Sequence, residues 1–332
     1  MEVSRRAQVS IATVSRVLNS PSSVKPSTRE RVLEAMQMLS YTPNGAAQAL
    51  GAGRSYGVGV LVGDLASPYF GLMLRSIEAT VRGAGLHALI SNGDFQADTE
   101  RDAMLFLRQR RAEAMIVQVS GTSDETLIEW ARSGPPLVVF GRRIADLAGR
   151  CVYLDNEQGG RLATQTLLDA GHRYIAHVTG SMSDQDSKDR LTGYRQALER
   201  ASVPYVDDRV VISDFTEEGG RRATLRLLQR RVPFTALFMG NDQMAAGALQ
   251  VLVAAGLRVP HDVSLIGYDD VVFTRYFTPA LTTVRQPLED MGRSAAQLAL
   301  SVLGHDVGAA QLCFEPELVH RQSVAPPLTS LA

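Results

Sequence analysis

Two groups of side chains in this sequence have types and spacings suited to chemistry. The first lies in VSIATVSRVLN, Val9–Asn19, and in SYTPNGAAQAL, Ser40–Leu50. Val14, Val17 and Leu18 recur at helical spacing and would face a core. The opposite face carries Ile11, Ala12, Ser15 and Arg16 and is small enough to enter a DNA major groove. Arg16 can make a paired contact to guanine or clamp a phosphate. Ser15 suits a phosphate oxygen, and Thr13 is grouped with them. Ser10 can accept hydrogen bonds from the free N–H groups that open this helix. Residues 44–53, NGAAQALGAG, are too short and too poor in bulk to hold a helix alone. Docked in a minor groove, Asn44–Leu50 could form one. Asn44 and Ala47 would then face the groove, with Leu50 as a wedge between base steps. A flexible linker is the plainer reading of the same composition.

The second group is polar and aromatic and follows apolar runs. Asp64, Ser67, Pro68, Tyr69 and Phe70 follow the first run, and Arg142 and Arg143 the fourth. Further on come Asp184, Asp186 and Arg190, then Phe215, then Asn241 with Asp242, then Asp269 with Asp270. Carboxylates and amides accept from hydroxyls, arginine donates to them, and an aromatic ring covers the C–H face of a sugar. Each residue alone is what any surface loop offers, and the set carries more weight than its members.

The elements that must position these residues can be read from periodicity. The segments 57–64, 87–91, 114–120, 136–140, 151–155, 174–180, 209–213, 235–240 and 263–270 read as buried parallel strands. Helical patterns of ten to fifteen residues separate them. That alternation predicts an α/β architecture of doubly wound parallel sheets in two similar halves. Ligands of such sheets bind beyond the carboxyl ends of the strands, where the second group of residues lies. Ahead of this body, three short helices with a turn at Gln8–Val9 form a compact head. Ser27 and Glu30 are spaced as a capping box for the third helix, and Val32, Ala35, Met36 and Leu39 supply its stripe. The reading gives 1–42 as a helix-turn-helix domain, 43–55 as a hinge and 56–332 as a ligand-binding and dimerisation body.

At 332 residues, 45% hydrophobic and 21% charged, the chain has the composition of an ordinary globular protein with two or three domains. Its net charge of −1 hides an asymmetry: residues 1–56 hold seven basic and three acidic side chains, the remainder 27 and 32. A basic head on an acidic body fits a partner with phosphates at one end only. Cys151 and Cys313, with no metal-ligand spacing, read as reduced, buried thiols of a cytoplasmic protein. No signal peptide or apolar span of ~20 residues is visible. The glycines of GVGVLVG lack the dinucleotide spacing. Asp184–Lys188 lacks the third oxygen ligand and the glycine of a calcium loop. The histidines show no metal pairing, and no nucleophile motif appears. No cofactor, metal or catalytic residue is expected.

VSxATVSRVLN, S-x-x-x-R-x-x-V-x-x-A and Y-x-P-N-x-x-A-x-x-L together resemble the DNA-binding domain and hinge of the lac/galactose repressor family. In the body, GVLVGDLASPYFG, DRLTGYRQAL, TALFMGNDQMAAGAL and SLIGYDDVVFTRYFTPALTTVRQP are similar to that family too, above all to its galactose-repressor branch. The resemblance implies base-reading positions at Ile11, Ala12 and Arg16 and the wedge at Leu50. It implies effector contacts at Asp64, Tyr69, Phe70, Arg142, Arg190, Phe215, Asn241 and Asp269. It implies a periplasmic-binding-protein-like body crossed three times by the chain, near 155, 281 and 312. Subdomain one would then be 56–154 with 283–311, and subdomain two 155–282 with 312–325. Gly45 departs from the bulkier or basic residue many members carry there.

A sequence-specific DNA-binding transcriptional regulator follows, a repressor released by a galactose-like hexose. Its partners would be a pseudo-palindromic operator in double-stranded DNA, a small sugar and a second copy of the chain, with no membrane. Helices near 67–82, 94–110, 217–229 and 244–255 could pack across the two-fold axis. The alternatives are a sugar-binding protein without a DNA role and a regulator whose effector is a nucleobase corepressor. An enzyme would need a metal set, phosphate loop or base–nucleophile pair, and none shows.

Overall fold

The computed structural model describes residues 2–19, 21–41, 57–230 and 232–328. The expected hinge, with Asn44, Ala47 and Leu50, lies outside the described residues.

Three helices make the head: α1 (Glu2–Arg6), α2 (Ile11–Asn19) and α3 (Pro26–Met38). Val3, Ala7, Val17, Val32, Ala35 and Met36 form its core, and Val14 and Leu18 pack against it. The turn before α2 passes through Gln8 at φ 50°. Ser10 Oγ accepts from the Thr13 N–H at 3.1 Å, capping α2. The Arg31 guanidinium donates to the Ala7 carbonyl at 2.9 Å and ties this turn to α3. The expected Ser27–Glu30 capping box does not form. Pro26 opens α3 instead, because its ring presets φ and it has no N–H to satisfy. The Lys25 carbonyl takes the first bonds, from the N–H groups of Thr28 and Arg29 at 3.0 and 3.1 Å.

The body is two six-stranded sheets. The first holds β1 (Gly57–Val62), β2 (His87–Asn92), β3 (Ala114–Val117), β4 (Leu137–Phe140), β5 (Cys151–Leu154) and β11 (Cys313–Phe314), ordered β2-β1-β3-β4-β5-β11 and parallel throughout. The second holds β6 (Ile175–Thr179), β7 (Val210–Ile212), β8 (Ala236–Met239), β9 (Ser264–Asp269), β10 (Thr282–Arg285) and β12 (Glu317–Val319), ordered β7-β6-β8-β9-β10-β12. Only β12 among these runs antiparallel to its neighbour. All nine expected strands are present. β10, β11 and β12 went unread.

The crossings follow from this order. The chain leaves the first half after β5. It returns between β10 and helix α11 (Leu288–Val302), and leaves again between β11 and β12. The second and third crossings thus fall a few residues beyond 281 and 312, because Thr282–Arg285 pairs with β9 and Cys313–Phe314 with β5.

The central strands of each sheet are buried on both faces, which is why they are near-continuous apolar runs; β2 and β7, expected to be buried as well, are partly exposed because they lie at the sheet edges. Val58, Val60 and Val62 of β1 face Met73 and Ile77 of helix α4 (Pro68–Gly83) and Ala295 and Ala296 of α11. Leu61 faces the other way, toward Met104 and Leu107 of helix α5 (Ala97–Gln109). Cys151 is buried as expected, but Cys313 is exposed, being on the edge strand β11.

Two helix pairs of the second half pack backbone to backbone. In α7 (Asn156–Asp169) and α8 (Gln185–Arg200), a Cβ on Gly160 would overlap the Arg190 carbonyl, and one on Gly193 would overlap the Glu157 carbonyl. In α9 (Glu217–Arg230) and α10 (Asp242–Ala254), Gly220 and Gly247 stand in the same relation to Met244 and Glu217. Gly193→Ala should therefore cost about 1–3 kcal/mol by overpacking. Gly71→Ala, in α4 with nothing within 4 Å of its Cβ, should be neutral or slightly stabilising. Denaturant midpoints of the two variants decide it, and equal midpoints would reject the close-packing account.

Candidate functional site

The carboxyl ends of both sheets open on one cavity between the halves, where ligands of such sheets bind. From the first half, β1 runs into Asp64, whose Oδ1 accepts from the Ala66 N–H at 2.9 Å and shapes the turn into α4. Tyr69 and Phe70, in the first turn of α4, stand edge to face at 4.9 Å. From the second half come Asp184, the N-cap of α8, and Asp186 and Arg190 within it. Asp214 and Phe215 follow β7, Asn241 caps α10, and Asp269 ends β9.

Arg190 is the organising group. It is 3% exposed. Its Nε donates to Asn156 Oδ1 at 2.8 Å, its Nη1 to the Gly240 carbonyl at 2.6 Å, and its Nη2 reaches Asp186 Oδ2 at 3.5 Å. The guanidinium lies 3.8 Å from the centroid of the Tyr268 ring and 5.8 Å from that of Phe215. Asn156 serves three partners: it also accepts from the Tyr268 hydroxyl at 2.9 Å and donates to Asp186 Oδ1 at 2.9 Å. Asn241 accepts from the Met244 N–H and donates to the Phe215 carbonyl, both at 2.9 Å, so one amide caps a helix and fixes the Phe215 turn. Asp269 takes a 2.7 Å hydrogen bond from Gln286, at the second crossing.

The electrostatics are dominated by carboxylates. Burial, and next the charge of Asp184, push Asp186 up to about 8 against the pull of Arg190. Burial raises Asp269 to about 6, held back by Arg190 and Gln286. Burial also raises Tyr69, aided by Asp186 and Asp269.

Among the described residues, two side-chain hydrogen bonds cross between the halves. Ser67 Oγ donates to Gln243 Oε1 at 2.5 Å, and Ser120 Oγ to Asp184 Oδ2 at 3.1 Å. The buried Glu100 holds the Ser120 loop. Its carboxylate accepts from the N–H groups of Ser120, Gly121 and Thr122 at 2.9, 3.1 and 2.7 Å, and from the Thr122 hydroxyl at 2.7 Å.

On the head, α2 exposes Ile11, Ala12, Ser15 and Arg16, with Thr13 half-buried and its hydroxyl 2.9 Å from Ser10 Oγ. Val17 is 4% exposed and anchors the helix from behind. This face of α2 is open to solvent and the opposite face is held by the core of the head. A model for bacterial regulatory proteins of the lacI family matches residues 1–44, and one for a periplasmic binding protein-like domain matches residues 164–324. Over 327 residues the chain is 39% identical to the HTH-type transcriptional regulator GalR of Salmonella typhimurium, covering 98% of this chain and 96% of that one.

The chain belongs to the LacI family. It is a DNA-binding transcriptional regulator, not an enzyme. Other LacI-family relatives are similar at comparable coverage. The repressor PurR of Edwardsiella ictaluri is 35% identical over 329 residues, covering 98% of this chain and 96% of that protein. The structure of the lac repressor dimer bound to operator and the anti-inducer ONPF superposes with a TM-score of 0.85 at 28% identity, covering 97% of this chain and 98% of that chain. No helix among the described residues of this LacI-family chain is long and apolar enough to cross a membrane.

Of the eight residues expected to meet an effector, Asp64, Tyr69 and Phe70 line the cavity from the first half. Arg190, Phe215, Asn241 and Asp269 line it from the second. Arg142 does not. Its guanidinium is drawn to the Thr122 carbonyl at 2.7 Å and to Asp124 at 3.3 Å, and it borders a smaller hollow beside the cavity. Sequence reasoning missed Phe95, Gln118, Asp214, Thr216 and Gln243 as lining residues. It also missed Asn156 and Tyr268 as the positioning residues behind Arg190. Phe95 and Asp214 do follow strands, so the strand-end rule could have found them. Asn156 comes directly after the strand at 151–155, so the same rule could have found it, whereas Tyr268 lies inside a strand, where the rule is silent.

Two predictions follow from this geometry. Asn156→Ala strips partners from Arg190, Tyr268 and Asp186 at once and should lower stability by about 1–3 kcal/mol. An unchanged urea midpoint would mean that the three partners find replacements. The second concerns Asp186, which keeps its proton in the fold to about 8, while the unfolded chain releases it near ~4. Between those values the unfolded state binds fewer protons. This contribution to stability is therefore full below ~4 and is lost as pH rises toward about 8. Asp186→Asn should flatten the decline in melting temperature between pH 5 and pH 8. Parallel curves would mean that Asp186 is ionised in the fold.

Proposed function

We propose that this regulator is a repressor that works as a two-fold dimer on a pseudo-palindromic operator in the cytoplasm and is released by a galactose-like hexose bound between the two halves of its body. The observation that carries the reading is the composition of the cavity wall. Asp64, Asp184, Asp214 and Asp269 present acceptor oxygens, and Phe70 and Phe215 present ring surface. Sugar hydroxyls donate to the former, and C–H faces stack on the latter. The similarity to the galactose-repressor branch supports the same choice.

The mechanism is closure. An effector bridging Tyr69 and Phe70 on one side and Arg190, Asn241 and Asp269 on the other favours one relative placement of the halves. The head is joined to the first half, and in a dimer a change in that half's placement respaces two heads. A coupling free energy of ~1–3 kcal/mol between effector and operator is typical of such linkage. Ile11, Ala12, Thr13, Ser15 and Arg16 would read the major groove, with Asn44, Ala47 and Leu50 at the minor groove. The body's discontinuous halves, roughly 57–154 with 288–314 and 155–285 with 317–325, are the proposed moving parts.

Operator and effector binding should be separable by mutation. Arg16→Ala is expected to weaken specific operator binding about tenfold or more and to leave sugar binding intact. Arg190→Ala is expected to abolish release of the operator by D-galactose and retain operator binding. Fluorescence anisotropy on operator DNA, with and without the sugar, reads both. Sugar-induced release that persists in Arg190→Ala would place the effector elsewhere.

A further inference from the structure

The cavity carries one aromatic ring whose part is not explained by the reading above. Phe95 follows β2 in the first half as Phe215 follows β7 in the second. The likeness is detailed. Each phenylalanine is the second residue of an Asp-Phe pair, Asp94-Phe95 and Asp214-Phe215. Their φ angles are 54° and 64°, a left-handed conformation rare for a bulky side chain. Each ring is laid over the glycine that follows the adjacent strand, Gly63 after β1 and Gly180 after β6. A Cβ on either glycine would overlap the ring, so each glycine is the recess that admits it. In both sheets the strand leading to the phenylalanine is the edge strand, paired with the strand that leads to the glycine. Each ring also has a backing group: Phe70 lies 6.4 Å from Phe95, and the Arg190 guanidinium lies 5.8 Å from the Phe215 ring. The same strained device is therefore built twice, and both copies end on one cavity. Backbone strain persists where the surroundings enforce it, and it gathers at ligand clamps.

We infer that Phe95 and Phe215 are a matched pair that close on the effector from the two halves, and that the effector is consequently a ring-closed sugar rather than the corresponding open-chain alditol. The inference rests on the proposed use of the cavity as the effector site. A pyranose offers compact C–H surface to an aromatic ring on either half. An alditol has the same hydroxyls but no fixed face, and must freeze several torsions to present one. Phe95 is thus a specificity residue contributed by the first half, where the polar contacts alone would not separate ring from chain.

Melting shifts and isothermal titration on the full chain would test this, using D-galactose, D-glucose, galactitol and sorbitol against wild type, Phe95→Leu, Phe215→Leu and Phe95→Tyr. The ligand-free melting temperature of each variant checks that it folds. We expect at least one hexose to bind wild type and its alditol to bind at least tenfold more weakly. Both leucine variants should lose about tenfold in hexose affinity. They should also lose most of the preference for ring over chain, and Phe95→Tyr should recover both. Loss in Phe215→Leu with wild-type binding and selectivity in Phe95→Leu would overturn the pairing and leave the cavity as the effector site. Equal binding of hexose and alditol by wild type would overturn the ring-closed assignment. Wild-type affinity in both leucine variants, or no response of wild type to either hexose, would overturn the hexose reading of the cavity and this inference with it.

Discussion

A guanidinium kept out of water must be compensated on every side, and the second half of this molecule is arranged around that requirement. Arg190 has no solvent to turn to, so a carbonyl at Gly240, an amide at Asn156, a carboxyl at Asp186 and a ring at Tyr268 are all committed to it. Those commitments fix the ends of β8, β9 and α7 relative to α8. The close approach of α7 and α8 at Gly160 and Gly193 brings the Arg190 backbone within reach of the Asn156 turn. Removing one partner of a buried charge costs more than the bond is worth, since the charge is left unpaired. The site is therefore rigid where it holds Arg190 and offers its remaining carboxylates to the cavity.

The crossings lie close to this cluster. Asn156 is the first residue of the helix that follows the first crossing, and Gln286, which holds Asp269, sits at the second. The first half answers with Glu100, whose carboxylate gathers the loop carrying Ser120, and with Ser67 at the head of α4. The polar contacts between the halves and those around the cavity thus share residues. A ligand that rearranges one set perturbs the other, which is the differential interaction that any closure mechanism requires.

Much of the fold was legible because its central strands are buried on both faces. A run such as GVGVLV has few other readings once helices flank it. TTVR, CF and ELV escaped notice because they are two to four residues long, and polar, charged or edge-placed. Only the crossings give them a sheet to join. The head was legible down to the Ser10 cap, but a local rule misplaced the start of α3, where Pro26 outcompetes the Ser27–Glu30 spacing. At the site, the strand-end rule placed Asp64, Phe215, Asn241 and Asp269 beside one another from four separate strands. It could not say where a long side chain turns, and Arg142 turns to the Thr122 carbonyl and Asp124. Asn156, with its three hydrogen bonds at the site, stands directly after the strand at 151–155, but nothing local distinguishes it from other residues at strand ends. Its role is set by elements far along the chain.

The interleaving of the halves has a consequence for how the protein is made. The first sheet lacks α11 and β11, and the second lacks β12, until residues 288–319 have been synthesised. Five strands of the first half must therefore wait, with one face uncovered, for α11, while those of the second wait only for an edge strand. Emergence order favours early folding of only the local three-helix head, whose contacts lie within 41 residues. The body is rich in distant contacts, and a chain stalled or clipped before residue 288 would leave the first sheet without its covering helix and the second without an edge strand, exposed to aggregation.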